Sequence, residues 1–207
     1  ENIYVGYKWY ETADAEGYWN DYSNVHGKGY DAVVQFPFGF GLSYTTFEWE
    51  IGEISVAPGS SIDDKTVLSV PVTVTNTGSY AGKEVVSAYV TAPYTKGGIE
   101  KSAVALVGFN KTETIQPGAS QTITIEIDAY DMASYDCYDK NNNGHKGYEL
   151  EAGEYLISLR TDSHTVKTVN YGGQPVDGVF KYNVNETINI THDPITGKEV
   201  KNLFTGE

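Results

Sequence analysis

Between Thr66 and Gly78 the sequence TVLSVPVTVTNTG alternates strictly. Leu68, Val70, Val72 and Val74 fall on one side, and Val67, Ser69, Pro71, Thr73 and Thr75 on the other. A period of two is the mark of a half-buried strand, and the NTG that follows is a turn signal. KEVVSAYVTAP, closed by Ala92 and Pro93, predicts a second strand, and Ala105–Thr114 a third. In QPGAS, Pro117 suits the second position of a type II turn and Gly118 the positive φ of the third. QTITIEID then sets Ile123, Ile125 and Ile127 inward against Thr122, Thr124 and Glu126, and EAGEYLISLRTD repeats the theme. Strands at this spacing, punctuated by turns and lacking a helical period, predict an all-β domain over residues 47–184. The expected type is an immunoglobulin/fibronectin III-like antiparallel β-sandwich.

The first 46 residues break the alternation. NIYVGYKWYE reads as a short strand, and ETADAEGYWNDYSNVHGKGYDA carries neither a helical nor a strand period, so an irregular, aromatic-rich segment is expected. Of the 27 aromatic residues in the chain, 14 lie in the first 49 positions. Burying a large side chain is worth about 1.5–3 kcal/mol, so rings at this density are expected to cover a surface. FPFGFGLSYTTF (Phe36–Phe47) is the densest stretch and has no acid, base or metal ligand. Phe36, Phe38, Phe40, Tyr44 and Phe47 are therefore candidates for packing against a neighbouring domain, with Pro37 stiffening the approach and Gly39 and Gly41 allowing close passage of backbone. Tyr18, Trp19 and Tyr22 admit two readings: a platform stacking on sugar rings, or a cluster buried against a neighbouring domain.

Composition narrows the function classes. The 207 residues carry a formal net charge of −14, which argues against nucleic acid or an anionic membrane as partner and leaves a neutral sugar compatible. Hydrophobic content of 40% and charged content of 20% are those of a globular chain, and no apolar run is long enough for a membrane span. The single cysteine, Cys137, excludes an intrachain disulfide and zinc-type cysteine clusters. Glu1 does not look like a natural start, so the chain is expected to begin within a longer protein, and both a bacterial cytoplasm and the cell exterior stay open.

Chemical motifs are sparse. There is no nucleophile elbow or phosphate loop, and His26, His145, His164 and His192 are scattered without ligand spacing. Asp and Glu are abundant, but spacing does not say which two would face each other for glycosidic chemistry. DCYDKNNNGHKGYELE is the best metal candidate: Asp139, Asn141, Asn143 and Gly144 match the opening of a calcium loop. The match breaks at the twelfth position, which is Leu150 flanked by Glu149 and Glu151. The competing reading is a hairpin whose Asn and Gly residues tolerate left-handed backbone.

Taken in order, the motifs resemble the family 3 glycoside hydrolases of the β-glucosidase type. ENIYVGYKWYE is similar to that family's E-x-I-Y-V-G-Y-R-Y-Y segment, with Lys8 and Trp9 replacing Arg and Tyr. FPFGFGLSYTTF is similar to its F-P-F-G-x-G-L-S-Y-T-x-F signature. VTVTNTGSYAGKEVVSAYVTAP, LVGFNKTETIQPGASQTITIEID, DMASYD and EAGEYLISL continue the resemblance through the family's fibronectin type III-like domain, so that it spans about residues 1–162. The resemblance implies that residues 1–46 are the tail of a preceding α/β-sandwich domain and 185–207 an exit linker. It also places the family's nucleophilic Asp on a (β/α)8 barrel and its acid/base Glu on the α/β-sandwich, neither of which is among these residues, so no catalytic residue is assigned. TGKEVKNLFTGE resembles the connector to a barrel that follows, as in members with swapped domain order. Three functional readings result. The chain is a non-catalytic structural domain partnering the catalytic domains of the same polypeptide, a carbohydrate-binding module, or a calcium-stabilised cell-surface β-sandwich.

Overall fold

A computed structural model describes residues 3–200. The chain opens with helix α1 (Tyr7–Ala15) and a two-residue hairpin, β1 (Ser23–Asn24) and β2 (Gly27–Lys28). It then runs through β3 (Phe47–Ile51), β4 (Val67–Asn76), β5 (Val85–Thr91), β6 (Ala105–Lys111) and β7 (Ser120–Asp128). There follow β8 (Ser134–Asp136), β9 (Gly147–Leu150), β10 (Gly153–Arg160), β11 (Thr168–Tyr171), β12 (Gln174–Asp177), β13 (Val179–Val184) and β14 (Ile188–Ile190). One sheet is ordered β13-β10-β5-β6 and the other β12-β11-β3-β4-β7, while β14-β9-β8 forms a small third sheet.

The alternation read from the sequence decides which faces meet. Leu68, Val70, Val72 and Val74 of β4 and Ile123, Ile125 and Ile127 of β7 face Val86, Ala88 and Val90 of β5 and Ile157 and Leu159 of β10 within one apolar cluster. Trp49 and Tyr182 are 1% exposed in the same core. The Pro117–Gly118 turn forms as expected, with Gly118 at φ 74° and Ala119 N–H donating to the Gln116 carbonyl. Pro71 sits inside β4 without cost to the β4–β7 ladder. Its carbonyl accepts from Gly52 N–H, so its nitrogen points to the same side, just past the last residue that β3 pairs.

Several expectations change in three dimensions. Of the residues read as a strand at the start of the chain, Tyr7–Glu11 lie in helix α1 instead, whose buried residues are Glu11 and Ala13 while Trp9 and Tyr10 stay exposed. With the apolar rings on the open side, no helical period shows in the sequence. Phe47 is not one of the exposed rings: as the first residue of β3 it is 7% exposed and belongs to the sandwich core. Gly41 has open space around it, so close passage is confined to Gly39. β11 pairs with β3 in parallel, because the chain crosses from β10 in one sheet to the far side of the other. The span expected as exit linker holds β14, which pairs antiparallel with β9. The expected connector 196–207 continues past Val200, outside the described residues.

The two sheets pinch together at Gly108, where the β5–β6 register shifts. A Cβ there would lie 2.8 Å from Ile125 Cγ2 and 2.9 Å from the Glu126 carbonyl oxygen. Gly108→Val is expected to cost about 2–3 kcal/mol by forcing the sheets apart. Gly41→Ala, with nothing to meet, should stay within about 0.5 kcal/mol. The urea unfolding midpoints of the two variants check this contrast.

Candidate functional site

The outer face of the four-stranded sheet is where the N-terminal segment lands. Alternation places Tyr89 and Ser158 on that outer face, yet they are 1% and 3% exposed. The Tyr7 ring lies edge-on to Tyr89 at 6.0 Å and stacks on Phe38 at 4.8 Å, and its hydroxyl accepts from Leu106 N–H at 2.9 Å. Thr12 Oγ1 accepts from Ala103 N–H, and the Tyr4 hydroxyl donates to Glu100. Helix α1 is thus tied to β5 and β6 through Tyr7 and to the connection before β6 through Thr12.

At the centre of this contact stands one buried carboxylate. Glu11 Oε1 accepts from the Tyr30 hydroxyl at 2.6 Å and from Ser163 Oγ at 2.8 Å, and Oε2 lies 2.9 Å from His164 Nδ1. The Tyr30 and His164 rings stack at 3.8 Å, nearly parallel. Arg160 holds the supporting loop, donating to the Ser163 and His164 carbonyls. Burial pushes the Glu11 carboxyl up, but the hydrogen bonds from His164, Tyr30 and Ser163 outweigh it and leave the group below its ordinary 4.5. The Glu11 hydrogen bond lifts His164 above its ordinary 6.5 against the opposing effect of burial. Burial first, and Glu11 second, raise the Tyr30 phenol.

The ring-rich stretch is anchored and yet open. Ser163 N–H donates to the Phe38 carbonyl and Thr77 N–H to the Thr46 carbonyl, which holds both ends of the segment. Gly39, at φ 88°, brings backbone against Asp162, where a Cβ would lie 3.5 Å from the Asp162 Cα. Along this stretch Phe36, Phe38, Phe40 and Tyr44 are 62%, 51%, 44% and 95% exposed. Phe36 and Phe40 touch each other at 5.1 Å. An apolar cleft of about 400 Å³ runs between α1 and this stretch, lined by Tyr7, Tyr10, Tyr30, Val34 and Phe36.

Tyr18, Trp19 and Tyr22 do cluster, but Trp19 is unavailable for stacking. It is buried, donates Nε1–H to the Tyr10 carbonyl, and meets Tyr18 and Tyr22 edge-on at 4.8 and 5.3 Å. Tyr18 and Tyr22 remain exposed, 6.4 Å apart and 28° from parallel. Asp139, Asn141 and Asn143 lie together in the β8–β9 hairpin. Asn141 and Asn143 both donate to Glu149, and Asp139 accepts from Gly144 N–H. The hairpin has left-handed backbone at Asp139, Asn142 and Gly144.

One acid is tuned toward neutral pH. Burial pushes Glu84 up to about 7, with Lys167 opposing. That suits a general acid. The other acid lining the same cleft, Asp162, is committed to turning its own loop, accepting from His164 and Thr165 N–H. Glycosidic chemistry needs two cooperating carboxylates, and this cleft offers one.

A fibronectin type III-like domain model matches residues 84–163. The chain is 40% identical over 167 residues to a β-glucosidase of Ruminococcus albus, covering 81% of this chain and 15% of that protein. To β-glucosidase A of Butyrivibrio fibrisolvens it is 37% identical over 179 residues, with coverage of 83% and 19%. Among solved structures, a β-glucosidase from Paenibacillus barengoltzii superposes with a TM-score of 0.64 at 36% identity, covering 87% of this chain and 18% of that one. β-Glucosidase 3B from Thermotoga neapolitana gives 0.61 at 34% identity, with 91% and 20% covered. This chain carries the fibronectin III-like region of the family 3 β-glucosidase type. It spans less than a fifth of the length of the curated relatives it matches.

The contact residues that sequence reasoning passed over are Glu11, Tyr30, Ser163 and His164. Glu11 and Tyr30 lie outside the matched domain and Ser163 at its last position, so the cluster joins the N-terminal segment to the sandwich proper. No spacing signal links residues 152 positions apart. The only hint was an acid and a histidine flanked by polar residues.

The protonation states give this joint a pH window. The Glu11 contribution is complete above pH 4.5 and is lost as pH falls through its lowered folded value. The His164 contribution is complete below pH 6.5 and is lost as pH rises through its raised folded value. The joint is therefore tightest between those values. Glu11→Gln is expected to cost about 1–3 kcal/mol at pH 5.5, less than a fully buried pair because His164 is partly exposed. The unmodified chain is expected to lose melting midpoint as pH rises through the raised His164 value, between about pH 6 and 8, and the variant should lack that decline.

Proposed function

We propose that the chain is a non-catalytic, architectural part of a β-glucosidase-type hydrolase, docking through its ring-rich stretch onto the catalytic domains of the same polypeptide. The observation that carries this reading is the row of exposed side chains at Phe36, Phe38, Phe40, Leu42 and Tyr44 on a segment anchored at both ends. Large rings held in place but uncovered mark an interaction surface, and covering each is worth about 1.5–3 kcal/mol. The parent reaction is then hydrolysis of terminal β-linked sugars with retention, both carboxylates coming from the other domains.

Two measurements test this. The purified chain should not turn over an aryl β-glucoside, and activity that survives repurification would overturn the reading. Phe36→Ala with Tyr44→Ala should leave the melting midpoint of this chain within about 1 °C, since those rings touch little of the sandwich. In a polypeptide that also carries the catalytic domains, the same pair should lower the midpoint by about 4 °C or more. Equal effects in both contexts would count against docking.

A second reading rests on Tyr18 and Tyr22, whose exposed, near-parallel rings offer a surface on which a sugar ring stacks. Trp19, edge-on to both, would report occupancy. Titration with a cello-oligosaccharide to about 10 mM should change Trp fluorescence, and Tyr18→Ala should abolish the change. A flat titration removes this reading.

A further inference from the structure

The hairpin between β8 and β9 holds a carboxylate that its own surroundings do not satisfy. Glu149 is 0% exposed. Its Oε2 accepts from Asn141 Nδ2 at 2.6 Å and from Asn143 Nδ2 at 2.8 Å, which aims the carboxylate at the loop residues. Its Oε1 has no hydrogen-bond partner. No ion pair among the described residues involves it. A buried carboxylate oxygen left bare costs more than a hydrogen bond returns, so native structures rarely keep one without a compensating group.

The neighbours do not supply that group. Asp136 is buried and committed to the Tyr138 and Lys140 amides. Glu151, the other acid beside the twelfth loop position, pairs with Lys101. His145 Nε2 is itself buried without a partner and makes no hydrogen bond to Glu149. What does converge on Glu149 is the pair of Asn141 and Asn143 carboxamides, which turn their nitrogens to it while their oxygens accept from the Asn143 and His145 N–H groups, and Asp139 lies two residues before the first of them in sequence. A carboxamide turned over presents its oxygen where its nitrogen stood, giving up the hydrogen bond that oxygen now accepts from the loop backbone, so the same two side chains serve a cation once its coordination offsets that loss.

We propose that the Asp139–Glu149 loop binds a calcium ion, with Glu149 at the eleventh position taking the role of the acid missing at the twelfth. Asp139 and Glu149 bring the negative charge, and Asn141 and Asn143 bring neutral oxygens. All-oxygen ligands in a flexible loop suit calcium better than magnesium, which requires stricter octahedral geometry, or zinc, which takes nitrogen and sulfur. The ion has a structural consequence. Asn143 also contacts Asn189 of β14 at 3.2 Å, so ordering the loop fastens β14 to the hairpin where the chain leaves the sandwich. The inference is independent of the docking role and of any sugar site.

The test uses the 207-residue chain stripped with EDTA and dialysed. Calorimetric titration with calcium chloride should give one site with Kd between about 10 μM and 1 mM, the range of sites with few charged ligands. The melting midpoint should rise by about 3–8 °C in about 5 mM calcium, and by far less in magnesium. Glu149→Gln and Asp139→Ala should each weaken calcium binding at least about tenfold. Asp139 is partly exposed and serves as the second site if Glu149→Gln does not fold, with Asp139→Asn, which tolerates the φ of 55° there, as the control for backbone strain. Absence of both heat and midpoint shift at about 5 mM calcium overturns the proposal, as does unchanged affinity in Asp139→Ala.

Discussion

The Glu11 carboxylate is the point on which the N-terminal segment of the molecule depends. It draws a hydroxyl from Tyr30, a hydroxyl from Ser163 and the imidazole of His164 to one place, which fixes helix α1, the turn at residues 29–32 and the loop after β10 to each other. A buried acid is expensive unless its charge is matched, and here each oxygen has partners. Remove the charge and three elements lose their common ligand.

Because that joint holds, the outer face of one sheet is covered and the ring-rich stretch is presented. Tyr89 and Ser158 are buried on what would otherwise be a solvent face, and the backbone at Phe38 and Gly39 is tied to the loop carrying Ser163. The row from Phe36 to Tyr44 then stands on a rigid base rather than on a free tail. Rigid presentation matters energetically, since a surface already ordered gives up little further entropy when it is covered. The sandwich serves as a base, and the N-terminal segment shapes the face that the base displays.

In the β8–β9 hairpin a second buried carboxylate, Glu149, organises its surroundings by the same physics with a different outcome. Glu11 finds a histidine and two hydroxyls; Glu149 finds two amides on one oxygen and nothing on the other. Lys101 meanwhile binds Glu151 and the Pro93 carbonyl, pinning the start of β10 to the β5–β6 connection. Acids placed in this way give a small sandwich with no disulfide, and with a core of aliphatic and aromatic side chains, definite attachment points at its N-terminal segment and at its β8–β9 hairpin.

Most of the sandwich was legible in the sequence, because a strand with one buried face must alternate and a turn with positive φ calls for glycine. The strands containing Val67–Asn76, Val85–Thr91, Ser120–Asp128 and Gly153–Arg160 follow from that rule, as does the Pro117–Gly118 turn. The order of motifs sufficed to indicate the β-glucosidase relationship. What stayed hidden depends on pairs far apart in the chain. Helix α1 was unreadable because its buried side carries Glu11 and its open side carries Trp9 and Tyr10, the reverse of an ordinary amphipathic helix. Phe47 and Phe40 look alike in sequence, yet one lies in the core and the other faces solvent, since only the start of β3 decides where the sandwich begins. Local composition determined the strands and their faces; which rings are covered, and which acids find partners, was decided by the tertiary contacts, because burial is a property of what lies opposite.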